Sequence, residues 1–422
     1  MKRTCIITSP VATQSGYGHH AREVVDNFIE QKSDDWDIKL VSMPWGHTPL
    51  TFPIPIDWQK RIISLPIKEQ PDIWVQVTIP NEFQAVGKYN IGVTAVTEGD
   101  ICSREWIESI NRMNLIIVPS EFAKKVLVDS GVKYNISITC DIQVVSEYFD
   151  ESIYTKKNTN IHIEELDEIH ESFCYLFVGH WLQGVLGEDR KNLSGLIKTF
   201  FDTFKNSQKM PALILKCSGA TYSVTDQWDI ERKIVELQEL YSESAKLPNI
   251  YLLHGDLFDQ EMNALYNHKK VKAMVSFTKG EGFGRPLLEF GTTGKPIIAP
   301  VYSGQADFLK SVIALPGGLT PVHASAANKW ILPESKEMKN LYKHYNKYLP
   351  MAREQKKFIE NTFTKKAISK QYEDVLSIVQ KSIDKLPQMQ SLQLPKLDLP
   401  KLKSVTDKPK LPELKLPKLN KV

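Results

Sequence analysis

Phe277-Thr278-Lys279-Gly280-Glu281-Gly282-Phe283-Gly284-Arg285-Pro286-Leu287-Leu288-Glu289-Phe290-Gly291 leaves an apolar run, crosses three glycines and enters a helical pattern at Pro286. Proline suits the first helical turn, where its missing N–H costs no intrahelical bond. Small residues let the main chain approach a ligand, and free N–H groups at a helix start favour an anion such as a diphosphate. Gly294, ahead of Lys295-Pro296, ends the helix. Glu281 and Glu289 bracket the turn, one carboxylate at the strand exit and the other in the first helical turns. Carboxylates accept hydrogen bonds, and vicinal sugar hydroxyls are donors that match them.

Working outward, short β-rich runs recur at 5–8, 38–41, 73–77, 91–96 and 115–118, with helical stretches at 17–32 and 120–130 between them. That alternation predicts βαβ units on a parallel sheet. After a polar stretch from Glu151 to Glu171 a second series begins, with runs at 173–178, 212–216, 250–253, 273–277 and 296–299 and a helix at 192–206. The expected fold class is α/β, with two doubly wound domains whose strand ends face a cleft, the usual place for ligands in open sheets. The segment 336–384 reads as helix interrupted at Pro350. After Leu386 come imperfect copies of Leu-Pro-Lys-Leu, with prolines too frequent for helix or central strand, so an extended, mostly disordered tail is expected.

The chain has 422 residues, 42% hydrophobic and 24% charged, enough for two domains or three. Its 53 Lys and Arg against 50 Asp and Glu leave only +3, too even for the whole surface to bind a polyanion. The tail from Lys385 holds nine lysines against three acids, so it carries +6 and the remainder −3. Five scattered cysteines fit neither a disulfide framework nor a Cys-x-x-Cys metal site, which points to a reducing cytosol. Thr8 and Ser9 cut short the apolar run that a signal peptide needs, and no run approaches the roughly 18 residues of a spanning helix. A cytoplasmic protein is expected.

The Gly-Glu-Gly-Phe-Gly-Arg-Pro-Leu-Leu-Glu stretch resembles the retaining nucleotide-sugar glycosyltransferases of the GT-B fold, specifically glycosyltransferase family 4, whose Glu-x7-Glu signature Glu281 and Glu289 match. The resemblance implies that Glu281 lies against the donor sugar, Glu289 holds the nucleotide ribose, and Gly282, Phe283, Gly284 and Arg285 bind sugar and phosphate. Phe177-Val178-Gly179-His180 with Asp189-Arg190-Lys191-Asn192-Leu193 looks like the family loop that neutralises the diphosphate. Lys191 occupies the Lys position; His180 stands where Arg is common, which makes Arg190 the candidate substitute. Ser15-Gly16-Tyr17-Gly18-His19-His20 is similar to the family's first loop, so Gly16 and Gly18 join the donor-binding set with Gly179 and His180. Adjacent His19 and His20 without a spaced Cys, Asp or Glu make a poor metal site.

Thr97-Glu98-Gly99-Asp100 and Val118-Pro119-Ser120 resemble a subgroup with Glu-x-Asp at the cleft, and Ser120 suits a helix N-cap. Glu98 and Asp100 are candidates to orient or deprotonate the acceptor, or to sit near the reacting sugar. Asp35-Trp36-Asp37 reads as a solvated turn, so no metal and no cofactor beyond the donor co-substrate is expected.

The implied organisation is an acceptor-binding domain over 1–155, a nucleotide-sugar-binding domain over 170–355, a helix over 356–384 packing back toward the first domain, and the tail over 385–422. The implied reaction moves a sugar from a nucleoside diphosphate sugar to a hydroxyl of a glycan, lipid-linked sugar or small molecule. Alternatives are transfer to a hydroxylated DNA base, with the basic tail contacting nucleic acid, and, from other classes, a GT-B sugar-nucleotide epimerase or a non-catalytic scaffold.

Overall fold

The computed structural model describes residues 2–155, 160–182, 187–219, 221–323, 327–334 and 336–385. Strands β1 (Arg3–Ser9), β2 (Trp36–Ser42), β3 (Ile73–Val77), β4 (Tyr89–Val93), β5 (Leu115–Val118) and β6 (Asp141–Val144) form a parallel sheet in the order β2-β1-β3-β4-β5-β6. Strands β7 (Cys174–His180), β8 (Ala212–Ser218), β9 (Ile250–Leu253), β10 (Val271–Val275), β11 (Ile297–Ala299) and β12 (Ile313–Ala314) form a second, ordered β12-β11-β10-β7-β8-β9 and also parallel. An antiparallel hairpin, β13 (Gly317–Pro321) with β14 (Lys329–Pro333), follows the second sheet.

Strands covered on both faces read as continuous apolar runs, which is why β7 and β8 were visible in the sequence. The helix Leu193–Phe204 shows the complementary pattern: Leu193, Leu196, Ile197, Phe200, Phe201 and Phe204 recur at helical spacing and are all buried. Each such side chain removed from water contributes about 1.5–3 kcal/mol, so this face pins the helix to the sheet. Ser120 caps the helix Glu121–Tyr134 by accepting from Ala123 N.

Two expectations are corrected. The run at 91–96 ends as a strand at Val93 because Val96 has φ +59°, a left-handed conformation that a β-branched residue adopts only under constraint. The chain there turns toward the second sheet. The helical segment breaks not at Pro350 but at His344 and Phe363, and Pro350 lies inside the helix Tyr345–Thr362. Near a helix start proline forfeits one backbone bond, and the next turns are fixed by Gln355, which accepts from Lys310 N and Ser311 N.

The last helix, Lys365–Asp384, buries Ile368, Tyr372, Val375, Leu376, Val379 and Ile383. It rests on the first sheet's side, where Gln31 Nε2 donates to Ser369 O and Trp36 Nε1 to Gln380 Oε1. Among the described residues no helix is long and apolar enough to cross a membrane. Apart from Lys385, the Leu-Pro-Lys-Leu tail lies outside the described residues.

Candidate active site

In each sheet the strand order reverses direction once, between β1 and β3 in the first and between β7 and β10 in the second. Loops leaving such neighbouring strands diverge to opposite faces and open a crevice at their carboxyl ends. Lys191 and Arg190 follow β7, Glu281 follows β10, and Gly16 and Tyr17 follow β1. All five border one cleft of about 570 Å³ lined from both sheets.

Glu281 is the hub. Its Oε1 accepts from Lys191 Nζ at 2.6 Å and its Oε2 from Arg190 Nη1 at 3.0 Å. Burial alone would raise this carboxyl, but the two cations overcome burial and hold it at about 2. Arg190 also donates to Gly280 O at 2.9 Å and reaches Glu98 Oε1 at 3.3 Å, so it joins the two lobes. Burial opposes the charge of Arg190, yet Glu98 and Glu281 push its pKa above that of an ordinary arginine. Burial keeps Lys191 below an ordinary lysine despite Glu281.

The glycines permit this closeness. A Cβ on Gly280 would sit 2.1 Å from Glu98 O, and Gly284 adopts φ +105° as the residue before the helix Arg285–Gly291. The loop after β11 supports Glu281 from behind. Glu281 N donates to Ser303 Oγ at 2.8 Å, and Gly304 N donates to Glu281 O at 2.9 Å.

Glu289 is buried one helical turn past Arg285, accepting from Arg285 Nε at 2.8 Å and from the Tyr266 hydroxyl at 3.3 Å. Burial pushes its pKa up to about 7 against the pull of Arg285. The Arg285 guanidinium is shared further: it donates to Glu23, and to Glu147 Oε2 at 3.3 Å, both in the first lobe. His180 borders the cleft with Nδ1 3.0 Å from Ser218 Oγ; its ring remains open to solvent, and partial desolvation by the cleft walls, then Lys191, Arg190 and Lys216, draw its pKa down. The neighbouring cations disfavour a charge on this ring, which leaves the cationic role to Lys191 and Arg190.

The structure brings Glu281, Glu289, Lys191, Arg190, Glu98, Gly16, Gly179, His180, Gly282, Phe283, Gly284 and Arg285 to the one cleft. Two predicted residues lie elsewhere. Gly18 packs under the loop, where a Cβ would be 2.1 Å from Thr13 O. Asp100 does not border the cleft; its carboxylate accepts from Lys329 N and its own N–H donates to Lys329 O, which ties it to β14. His20 Nδ1 lies 3.6 Å from Glu147 Oε1, and His19 Nε2 3.9 Å from Asp259 Oδ1. Asp35 and Asp37 flank the start of β2, at the end of the sheet opposite the cleft, beside Lys32 and Lys39. Sequence reading missed Glu23, Glu147, Ser303 and Trp45. The first two carry no local signature, since their partners are 262 and 138 residues away.

No family model matches the chain, and no curated protein matches it. Solved structures share its fold. A glycosyltransferase from Rickettsia africae ESF-5 superposes with a TM-score of 0.61 at 12% identity, covering 92% of this chain and 100% of that one. HepE of Anabaena, in complex with UDP and glucose, gives 0.59 at 12% identity, covering 89% and 100%. Sucrose-phosphate synthase from Thermosynechococcus elongatus gives 0.59 at 11% identity, covering 90% and 100%. At these identities the likeness is one of fold: the chain has the two-lobed GT-B architecture.

Proposed function

We propose that the protein is a retaining glycosyltransferase that moves a sugar from a nucleoside diphosphate sugar to an acceptor hydroxyl, in the manner of glycosyltransferase family 4. The observation that carries this reading is Glu281, held by Lys191 and Arg190 where the second sheet's crevice meets Glu98 of the first lobe. The fold supports it, as does a neighbour of the same fold in complex with UDP and glucose.

In this reading the sugar hydroxyls donate to Glu281 and the ribose hydroxyls to Glu289, while Lys191 and Arg190 turn toward the diphosphate. The acceptor oxygen bonds to the anomeric carbon on the face from which the diphosphate leaves. The bond from that carbon to the phosphate oxygen breaks, and the acceptor's proton passes to the departing phosphate. Negative charge grows on that phosphate, so cations brought against it act where charge develops. Lys191 and Arg190 take the part of a divalent metal in this scheme, with no further cofactor. Five free cysteines, four of them buried, suit a reducing cytosol.

The test is nucleotide release from a panel of nucleoside diphosphate sugars, with and without acceptor pools. Glu281→Ala and Lys191→Ala are expected to lower release by about 100-fold or more. Release at the wild-type rate in both variants would overturn the assignment, and an inverted product anomer would overturn the retaining mechanism.

A further inference from the structure

We infer that the acceptor is an uncharged sugar whose ring packs on Trp45, an inference that rests on the transfer reading and narrows it. Trp45 stands in the turn Trp45-Gly46-His47-Thr48 after β2, closed by Thr48 N donating to Trp45 O at 3.0 Å. Its indole stacks on Tyr17, with centroids 4.0 Å apart and 22° between planes. Tyr17 is itself fixed: its hydroxyl accepts from Ala95 N and bonds Thr94 Oγ1, each at 3.1 Å. Ala95 in turn packs on Gly282, where a Cβ would lie 2.8 Å from Ala95 Cβ. The aromatic pair is thereby tied to the loop that carries Glu281, and both rings border the same cleft.

An indole with one face held by another ring offers the rest of its apolar surface rigidly, at little entropic cost. The C–H face of a pyranose matches such a surface. Its hydroxyls then need polar partners, and two candidates belong to the lining of the same cleft. Gln14 Nε2 and His20 Nε2 are buried atoms with no hydrogen-bond partner, and both residues border the cleft. A buried polar atom left unpaired is costly, and a ligand hydroxyl would satisfy either one.

Charge decides against an anionic acceptor. Glu98, Glu147, Asp256 and Asp259 line the cleft, whereas the cations Arg190, Lys191 and Arg285 pair with carboxylates and Lys216 donates to Gly255 O. A phosphate-bearing acceptor placed against Trp45 would meet repulsion, and a neutral hydroxylated ring meets none.

The test is saturation-transfer NMR on the full chain, using methyl glucoside, methyl galactoside and methyl mannoside as probes beside UDP, GDP and ADP. At least one glycoside is expected to be saturated at its ring C–H protons. Its binding is expected to weaken about ten-fold in Trp45→Ala and to persist in Trp45→Phe, with nucleotide binding unchanged in both. The inference is overturned if the wild type binds none of the glycosides, if Trp45→Ala binds them as wild type does, or if Trp45→Ala loses nucleotide in their place. Failure of all three nucleotides to bind, with a glycoside still held by Trp45, would instead count against the transfer reading and leave the sugar platform standing.

Discussion

Two glutamates one short loop apart are shifted in opposite directions from an ordinary carboxyl, and the difference lies in what each faces. Glu281 faces two cations and is held at about 2, below the 4.5 of an unconstrained glutamate. Its ion pairs therefore add stability that is fully present above pH 4.5 and is lost as the pH falls toward 2. Glu281→Gln is expected to lower the thermal midpoint at pH 7, and the gap to wild type should close in melts taken progressively below pH 4.5. Glu289 has one cation, shared with two other carboxylates, and burial lifts it to about 7. The folded chain holds that proton more tightly than the unfolded chain, so ionising Glu289 costs stability as the pH rises through 7. The same ionisation makes a stronger acceptor for ribose hydroxyls. Calorimetric titration with nucleotide should show affinity rising from pH 6 to pH 8, and Glu289→Gln should flatten that rise. A flat wild-type profile would remove Glu289 from the ribose. The residues legible in the sequence were those whose partners lie within one loop or carry a local spacing. Glu289, four residues from Arg285, is of the first kind, and Glu281 and Lys191, 90 residues apart, were legible only because each stands in a recognisable local stretch.

A loop with no signature of its own sets the position of the loop that had one. Ser303 adopts φ +62°, and its hydroxyl both accepts from Glu281 N and donates to Tyr302 O. A left-handed serine costs about 1–3 kcal/mol, and the two hydrogen bonds offset that cost. Ser303→Ala keeps the unfavourable backbone and loses both bonds, so it should destabilise by about 1–2 kcal/mol and lower the rate of nucleotide release. Ser303→Gly loses the same bonds and relieves the backbone, so it should fall between alanine and wild type in stability. Denaturant unfolding of the three proteins checks the order; equal midpoints would mean that the hydroxyl does not hold the loop. Strands buried on both faces were legible as apolar runs. Edge strands β6 and β12 and the hairpin β13–β14 were not, since short, half-exposed pairs take their stability from tertiary neighbours.

The two sheets could be read as separate units, but the lock between them could not. Arg285 was expected from the family resemblance to serve the donor. In the fold its guanidinium is taken up by Glu289 of its own helix and by Glu23 and Glu147 of the first lobe. The cluster sets three carboxylates against one guanidinium, and burial raises Glu23 above an ordinary carboxyl even beside Arg285. Removing one partner of a buried ionic group leaves uncompensated charge, which costs on the order of 3–5 kcal/mol. Arg285→Met should therefore lower the unfolding free energy by about that amount, more than any surface arginine would. Adding Glu23→Gln and Glu147→Gln to Arg285→Met removes much of the stranded charge, so the triple variant should recover stability relative to the single one. Because those contacts cross between lobes, the single variant should also scatter X-rays with a larger radius of gyration, while the triple returns toward wild type. A triple variant less stable than Arg285→Met would show that the cluster contributes through hydrogen bonding and not through charge balance, and an unchanged radius of gyration would show that other contacts hold the lobes together.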